Sequence, residues 1–217
     1  MSRQSIELKS DELSDLKRQF LTRYNKSLSV SEAAQSAIKA AVQHNSLYNK
    51  TAPLYQREMV RSEWRDFLFS LEVRYHQPKN GKNLEDDILR LQKRMNERHQ
   101  CIFRKTPHPK FKTDPGFRIS HAQKSISVFL KHLWCLGLIP EPPHCPVDRL
   151  ILKEVGLKYP DTKWGYVNNI GTHRNHIKLL SNVAYCCSLS LAEWELKEFK
   201  LGLLPDKYWT AYPNAGS

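Results

Sequence analysis

Glycine is scarce in this sequence, with 8 among 217 residues, and no short block recurs. Together these absences exclude collagen-like and solenoid architectures. Long apolar runs are missing as well: none approaches the roughly 18–20 residues that span a bilayer, so no membrane partner is expected. The opening stretch, MSRQSIELKSDELSDLKRQF, has no apolar core and already carries acids, so a secretory signal is not expected. The cysteines (Cys101, Cys135, Cys145, Cys186 and Cys187) are odd in number and never spaced C-x-x-C. Reduced thiols in a cytoplasmic protein are the expectation. There is no Walker-type loop, no G-x-S-x-G elbow and no G-x-G-x-x-G, which leaves nucleotide hydrolysis, esterase chemistry and dinucleotide binding without support. No cofactor is expected.

What the chain does have is positive charge. Lys and Arg number 34 against 22 Asp and Glu, a balance of +12. Residues 79–131 hold 13 of the cations and only five acids, so eight of the twelve excess charges sit in a quarter of the chain. A polyanionic partner is implied, and nucleic acid is the usual one. Cations meeting phosphates release condensed counterions and give salt-sensitive affinity. The basic run contributes Lys93, Arg94, Arg98, Arg104, Lys105, Lys110 and Lys112 as candidate phosphate contacts, with Arg118 and Lys131 beyond it.

Periodicity predicts an all-α fold, because β-type alternation is nearly absent. Helices are expected over 9–22, 31–47 (capped by Ser29), 54–75 (Met59, Trp64, Phe67, Leu68 and Leu71 inward) and 84–100, opening on Glu85, Asp86 and Asp87. Residues 104–117, with three prolines and four cations, form a basic loop and the best internal boundary. It separates an N-terminal lobe, 1–103, from a segment 118–217. A helix over 120–136 follows, with Ile119, Ala122, Ile126, Phe129, Leu130 and Leu133 on its core face and Lys124 and Lys131 on another. Gly137 ends it. Pro140, Pro142 and Pro143 enforce an extended link, and Pro146 and Asp148 fall in the first turn of a helix over 146–155. Helices near 163–185 and 190–200 precede an aromatic tail. Trp64 and Trp194 read as core.

The stretch RISHAQKSISVFLKHLWCLGLIPEPPHCPVDRLIL, 118–152, opens a helix just before a lysine and ends on Pro-Val-Asp. It resembles the central segment of the helix-hairpin-helix DNA glycosylases, the superfamily of endonuclease III and 8-oxoguanine glycosylase. The resemblance implies a two-lobed helical fold, duplex DNA as partner, and a base-excision glycosylase and abasic-site lyase activity. It places Lys124 at the catalytic lysine and Asp148 at the catalytic aspartate. Where the family carries Gly-aliphatic-Gly, this chain has Ser120-His121-Ala122, so Ser120 and His121 would face a DNA phosphate. Trp134 and Trp164, or His121, would stack beside the extruded base. Lys124, desolvated and so less basic, would attack C1′ while ionised Asp148 stabilises the cationic sugar. Some family members hold an iron–sulfur cluster on four cysteines; Cys186 and Cys187 alone lie in that region, so none is predicted.

Two other constellations stand out. Arg94-x4-His99 is similar to the R-x4–6-H motif of HEPN-type ribonucleases and offers an alternative, RNA-directed reading. A non-catalytic nucleic-acid-binding protein is a further alternative. His173-x2-His176, with Cys186 and Cys187 ten residues on and His144-Cys145 before it, lacks the usual zinc spacing, so no metal site is predicted there; surface histidines and buried thiols are the expectation.

Overall fold

A computed structural model describes residues 10–43, 47–105 and 114–200; Lys110 and Lys112 lie outside the described residues, as does the aromatic tail. The described chain is all-helical, with one isolated bridge between Tyr48 and Phe103. The helices are α1 (Ser10–Tyr24), α2 (Val30–Val42), α3 (Leu54–Arg74), α4 (Gly81–His99), α5 (Ile119–Cys135), α6 (Arg149–Glu154), α7 (Ile170–Cys186) and α8 (Leu191–Lys200), with short 3-10 turns at Gln100–Ile102 and Trp164–Tyr166. Among the described residues no helix is long and apolar enough to cross a membrane.

Local chemistry sets most of these boundaries. The Ser29 side chain accepts from Glu32 N at 3.1 Å, while Glu32 reaches back to Ser27 N at 2.6 Å. The first contact satisfies a donor that the first turn of α2 leaves open, and the second ties the preceding turn to the helix. Downstream, Ala33, Ala34, Ala37 and Ala41 are fully or almost fully buried. That small-residue face lets α2 lie close against α5, its main packing partner. Gly137, at φ +76°, closes α5 in the left-handed region, and Gly137 N and Leu138 N return to Trp134 O and Leu133 O.

Other boundaries differ from expectation. α4 starts at Gly81, four residues before the acidic run. Asn80 and Asn83 cap each other's backbone N–H at 3.0 and 3.2 Å, so the acids fall in the second turn. Asp87 is there fully buried and takes Arg74, Arg90 and the Tyr75 hydroxyl. Pro146 precedes α6 rather than opening it. Asp148 is the N-cap, its Oδ1 accepting from Leu150 N at 2.9 Å and Ile151 N at 3.1 Å. Residues 163–185 divide into a 3-10 turn and α7, which Asn169 caps through Gly171 N and Thr172 N. Met59 is exposed with Leu54 and Tyr55; the inward face of α3 is Val60, Trp64, Phe67, Leu68 and Leu71.

Two apolar clusters result. The larger draws on α1 to α5, with Ala192 and Leu196 of α8. The smaller gathers Cys145, Val147, Ile151, Leu152, Trp164, Ile177, Leu180, Ala184 and Trp194. Helix α5 lies between them, buried at every position except Val128. Its apolar face fills the larger cluster, and Ser120, Gln123, Lys124 and Lys131 form a polar seam toward the later segments of the chain. α8 belongs to both clusters.

Candidate functional site

The seam is where α5 meets the later segments, and every polar group buried there needs a partner. Gln123 donates to Val147 O at 2.8 Å and accepts from Val147 N at 3.3 Å. This amide clamp holds the Pro-Val-Asp stretch against α5. One residue on along each strand of the clamp, Lys124 Nζ donates to Asp148 Oδ2 at 2.7 Å. The other Asp148 oxygen is fixed by the start of α6. The pair is not sealed: the Lys124 side chain is 10% exposed and that of Asp148 18%. Burial alone would raise the Asp148 pKa, but the adjacent ammonium and the bonds from Lys124, Ile151 and Leu150 outweigh it and hold the carboxyl below its usual value. Trp164 forms a wall beside the amine, its ring centre 5.9 Å from Lys124 Nζ.

The first turn of α5 is occupied internally. Arg118 binds Asp114 through two nitrogens and donates to Gly165 O at 3.2 Å. Ser120 is fully buried; its hydroxyl donates to Gly165 O and its N–H to Val167 O, both at 2.9 Å. His121 Nδ1 accepts from Arg118 N at 3.0 Å, and burial, with the Arg118 charge, pushes its pKa down to about 3. The expectation that Arg118, Ser120 and His121 face a phosphate is therefore corrected: Arg118 and Ser120 anchor residues 165–167 to α5, and His121 closes on Arg118 N at the start of the helix. Lys131 is corrected likewise. It lies inside the protein, 2.6 Å from Glu195 of α8, with both side chains about 5% exposed or less. Trp134 is buried, with Lys17 Nζ 4.1 Å from its ring, and Trp164 is buried in the smaller cluster. Neither tryptophan presents an open face for a base, and His121 is equally enclosed.

The remaining basic residues lie at the surface. Lys93 is exposed, 3.7 Å from Glu97, and Arg104 and Lys105 are exposed beyond α4. Arg94 and His99, the R-x4-H pair, do converge, but on Glu63 of α3. Arg94 Nε lies 2.5 Å and His99 Nε2 2.7 Å from its carboxylate, and Arg98 Nη1 lies at 3.0 Å. The histidines are buried rather than at the surface, His144, His173 and His176 alike; of the thiols Cys145 is buried as expected, whereas Cys186 and Cys187 are exposed. His173 packs edge-on against buried His144, ring centres 5.8 Å apart. Among the described residues no three His, Cys, Asp or Glu side chains gather as a metal site.

Sequence reasoning missed Gln123, Glu63, Asp114 and Glu195. Each acts across 4 to 64 positions of chain, and none belongs to a motif. Only Asp114 and Arg118 are close in sequence, and they meet in the turn before α5 rather than on a helix face. No family model matches this chain, and no curated protein and no solved structure is significantly similar to it.

Proposed function

We propose that this protein binds duplex DNA and excises a damaged base, then cleaves the abasic strand, through Lys124 and Asp148, in a fold similar to the helix-hairpin-helix DNA glycosylases. The observation that carries the reading is the 2.7 Å contact between an amine and a carboxylate that stand 24 positions apart in sequence. Each comes from a rigid element, Lys124 from α5 and Asp148 from the cap of α6, which is the preorganisation such chemistry needs. The surplus of cations supplies affinity for phosphates.

The chemistry balances as follows. The extruded nucleotide loses its base as the C1′–N bond breaks, leaving a cationic sugar that the ionised Asp148 stabilises. The Lys124 ammonium gives its proton to the departing base. The neutral amine then bonds to C1′ and passes a proton to the ring oxygen as the C1′–O4′ bond opens, leaving a protonated Schiff base; the C2′ proton is lost to the expelled base or to water as the C3′–O bond breaks and the 3′ phosphate leaves. Asp148 held as an anion by its helix N-terminus and by Lys124 suits the electrostatic role rather than that of a base.

The test is borohydride trapping on an abasic duplex. Wild type is expected to give a covalent adduct, Lys124→Gln none, and Asp148→Asn a strongly reduced yield. Asn preserves the helix cap, so Asp148→Asn removes charge with little cost to the fold. No wild-type adduct, or an equal adduct from Lys124→Gln, rejects the assignment. Salt-sensitive DNA binding without any adduct would favour a non-catalytic DNA-binding protein.

A further inference from the structure

α3 and α4 run antiparallel, and where the middle of α3 meets the last turns of α4 positive charge gathers on one acid. Glu63 is nearly buried there, its side chain 13% exposed, and it receives Arg94, Arg98 and His99. Burial opposes ionisation of this carboxyl, yet bonds from Arg94 and His99 and the charges of Arg94 and Arg98 win, and its pKa falls below the usual range. Two guanidiniums share one carboxylate, so the group carries surplus positive charge even with His99 neutral. Earlier in α3, Arg57 and Arg61 lie 5.6 and 6.0 Å from the Tyr48 ring. Tyr48 pairs with Phe103, and Phe103 packs on His99. Arg61 takes Glu58 at 2.6 Å.

The guanidiniums around Glu63 are not used up by it. Arg94 offers Nε, and Arg98 offers Nη1, which leaves the other N–H groups of each fork available. Their side chains remain 39% and 61% exposed. A flexible arginine must be immobilised to grip an anion, and that ordering costs affinity. A nearly buried carboxylate that already holds two arginines has met part of that cost in advance.

We infer that Glu63 is a positioning residue for a phosphate-binding fan, in which Arg94 and Arg98 grip the backbone phosphates of a nucleic acid. The inference rests on the nucleic-acid-binding part of the proposed function and not on the Lys124 chemistry. It makes a prediction opposite in sign to simple charge counting. Deleting an acid from a basic protein should tighten binding to a polyanion; deleting Glu63 should loosen it.

The experiment is fluorescence anisotropy with a labelled 20-base-pair DNA duplex across a salt series. Glu58→Ala is the matched control, since it removes one acid from the same helix at a half-exposed position. Glu58→Ala is expected to bind as tightly as wild type or tighter. Glu63→Ala is expected to bind about fivefold more weakly, the scale of freeing ordered side chains. Arg98→Ala, at an exposed position, should lower the slope of log affinity against log salt by about one. Thermal melts of each variant separate loss of the fan from loss of the fold. If wild type binds and Glu63→Ala matches or exceeds it, the fan is wrong and the DNA-binding reading stands. If wild type shows no salt-dependent binding, both fall.

Discussion

The Lys131–Glu195 pair offers the sharpest test of how the seam is held. Both side chains are 5% exposed or less, the contact is 2.6 Å, and the ammonium also lies 4.6 Å from the Phe20 ring centre. Neither charge has water enough to stand alone. Lys131→Met keeps the aliphatic stem but leaves a carboxylate stranded, and breaking a buried pair from one side costs about 3–5 kcal/mol. For a chain of this size each kcal/mol moves the midpoint by about 2–4 °C, so a loss on the order of 10 °C is expected. Glu195→Leu should cost a similar amount. The double variant Lys131→Met/Glu195→Leu should recover most of the loss, because two apolar groups of similar volume replace two desolvated charges. Thermal and urea unfolding of the four proteins, followed by far-UV circular dichroism, closes the double-mutant cycle. The reasoning fails if either single variant melts within about 2 °C of wild type, or if the double variant loses the sum of the singles.

Acid should unfold the protein early. Burial, ahead of any neighbouring charge, pushes His121, His132 and His173 down to about 3 and His144 to about 4. Each ring titrates near 6.5 in the unfolded chain, which therefore binds more protons below that pH. The stability these rings give is complete above pH 6.5 and is lost as pH falls toward 3–4; by pH 5 each costs about 2 kcal/mol. Melting curves from pH 7 to 5 should show the decline, and a flat profile would refute it. Gly116→Ala is expected to destabilise by about 3 kcal/mol, because φ is +89° and a Cβ would lie 2.4 Å from that of Phe103; denaturant midpoints will tell.

Much of the helical framework was legible because it rests on local rules. Ser29 and Gly137 act through hydrogen bonds and backbone angles set within a few residues, and the apolar spacing of α5 from Ile119 to Leu133 fixed its core face. The start of α4 was misplaced because Glu85, Asp86 and Asp87 look like first-turn acids. The mutual capping of Asn80 and Asn83 had the prior claim, and Asp87 serves tertiary contacts instead. The polar residues of α5 were harder. A lysine on a helix reads as solvated unless its partner is known, and the partners of Lys124 and Lys131 lie at the cap of α6 and on α8. Lys124 and Asp148 could be named together only through the Pro-Val-Asp resemblance. Trp164 was picked out as an open stacking face, whereas its neighbours Gly165 and Val167 are tied down by Arg118 and Ser120.

The double allegiance of α8 limits how this molecule can move. Ala192 and Leu196 are embedded in one core, Trp194 in the other, and Glu195 is locked to the helix between them. A motion that parted the two cores would have to tear all four contacts at once. The two cores are therefore coupled, through α8 and the helix to which it is locked.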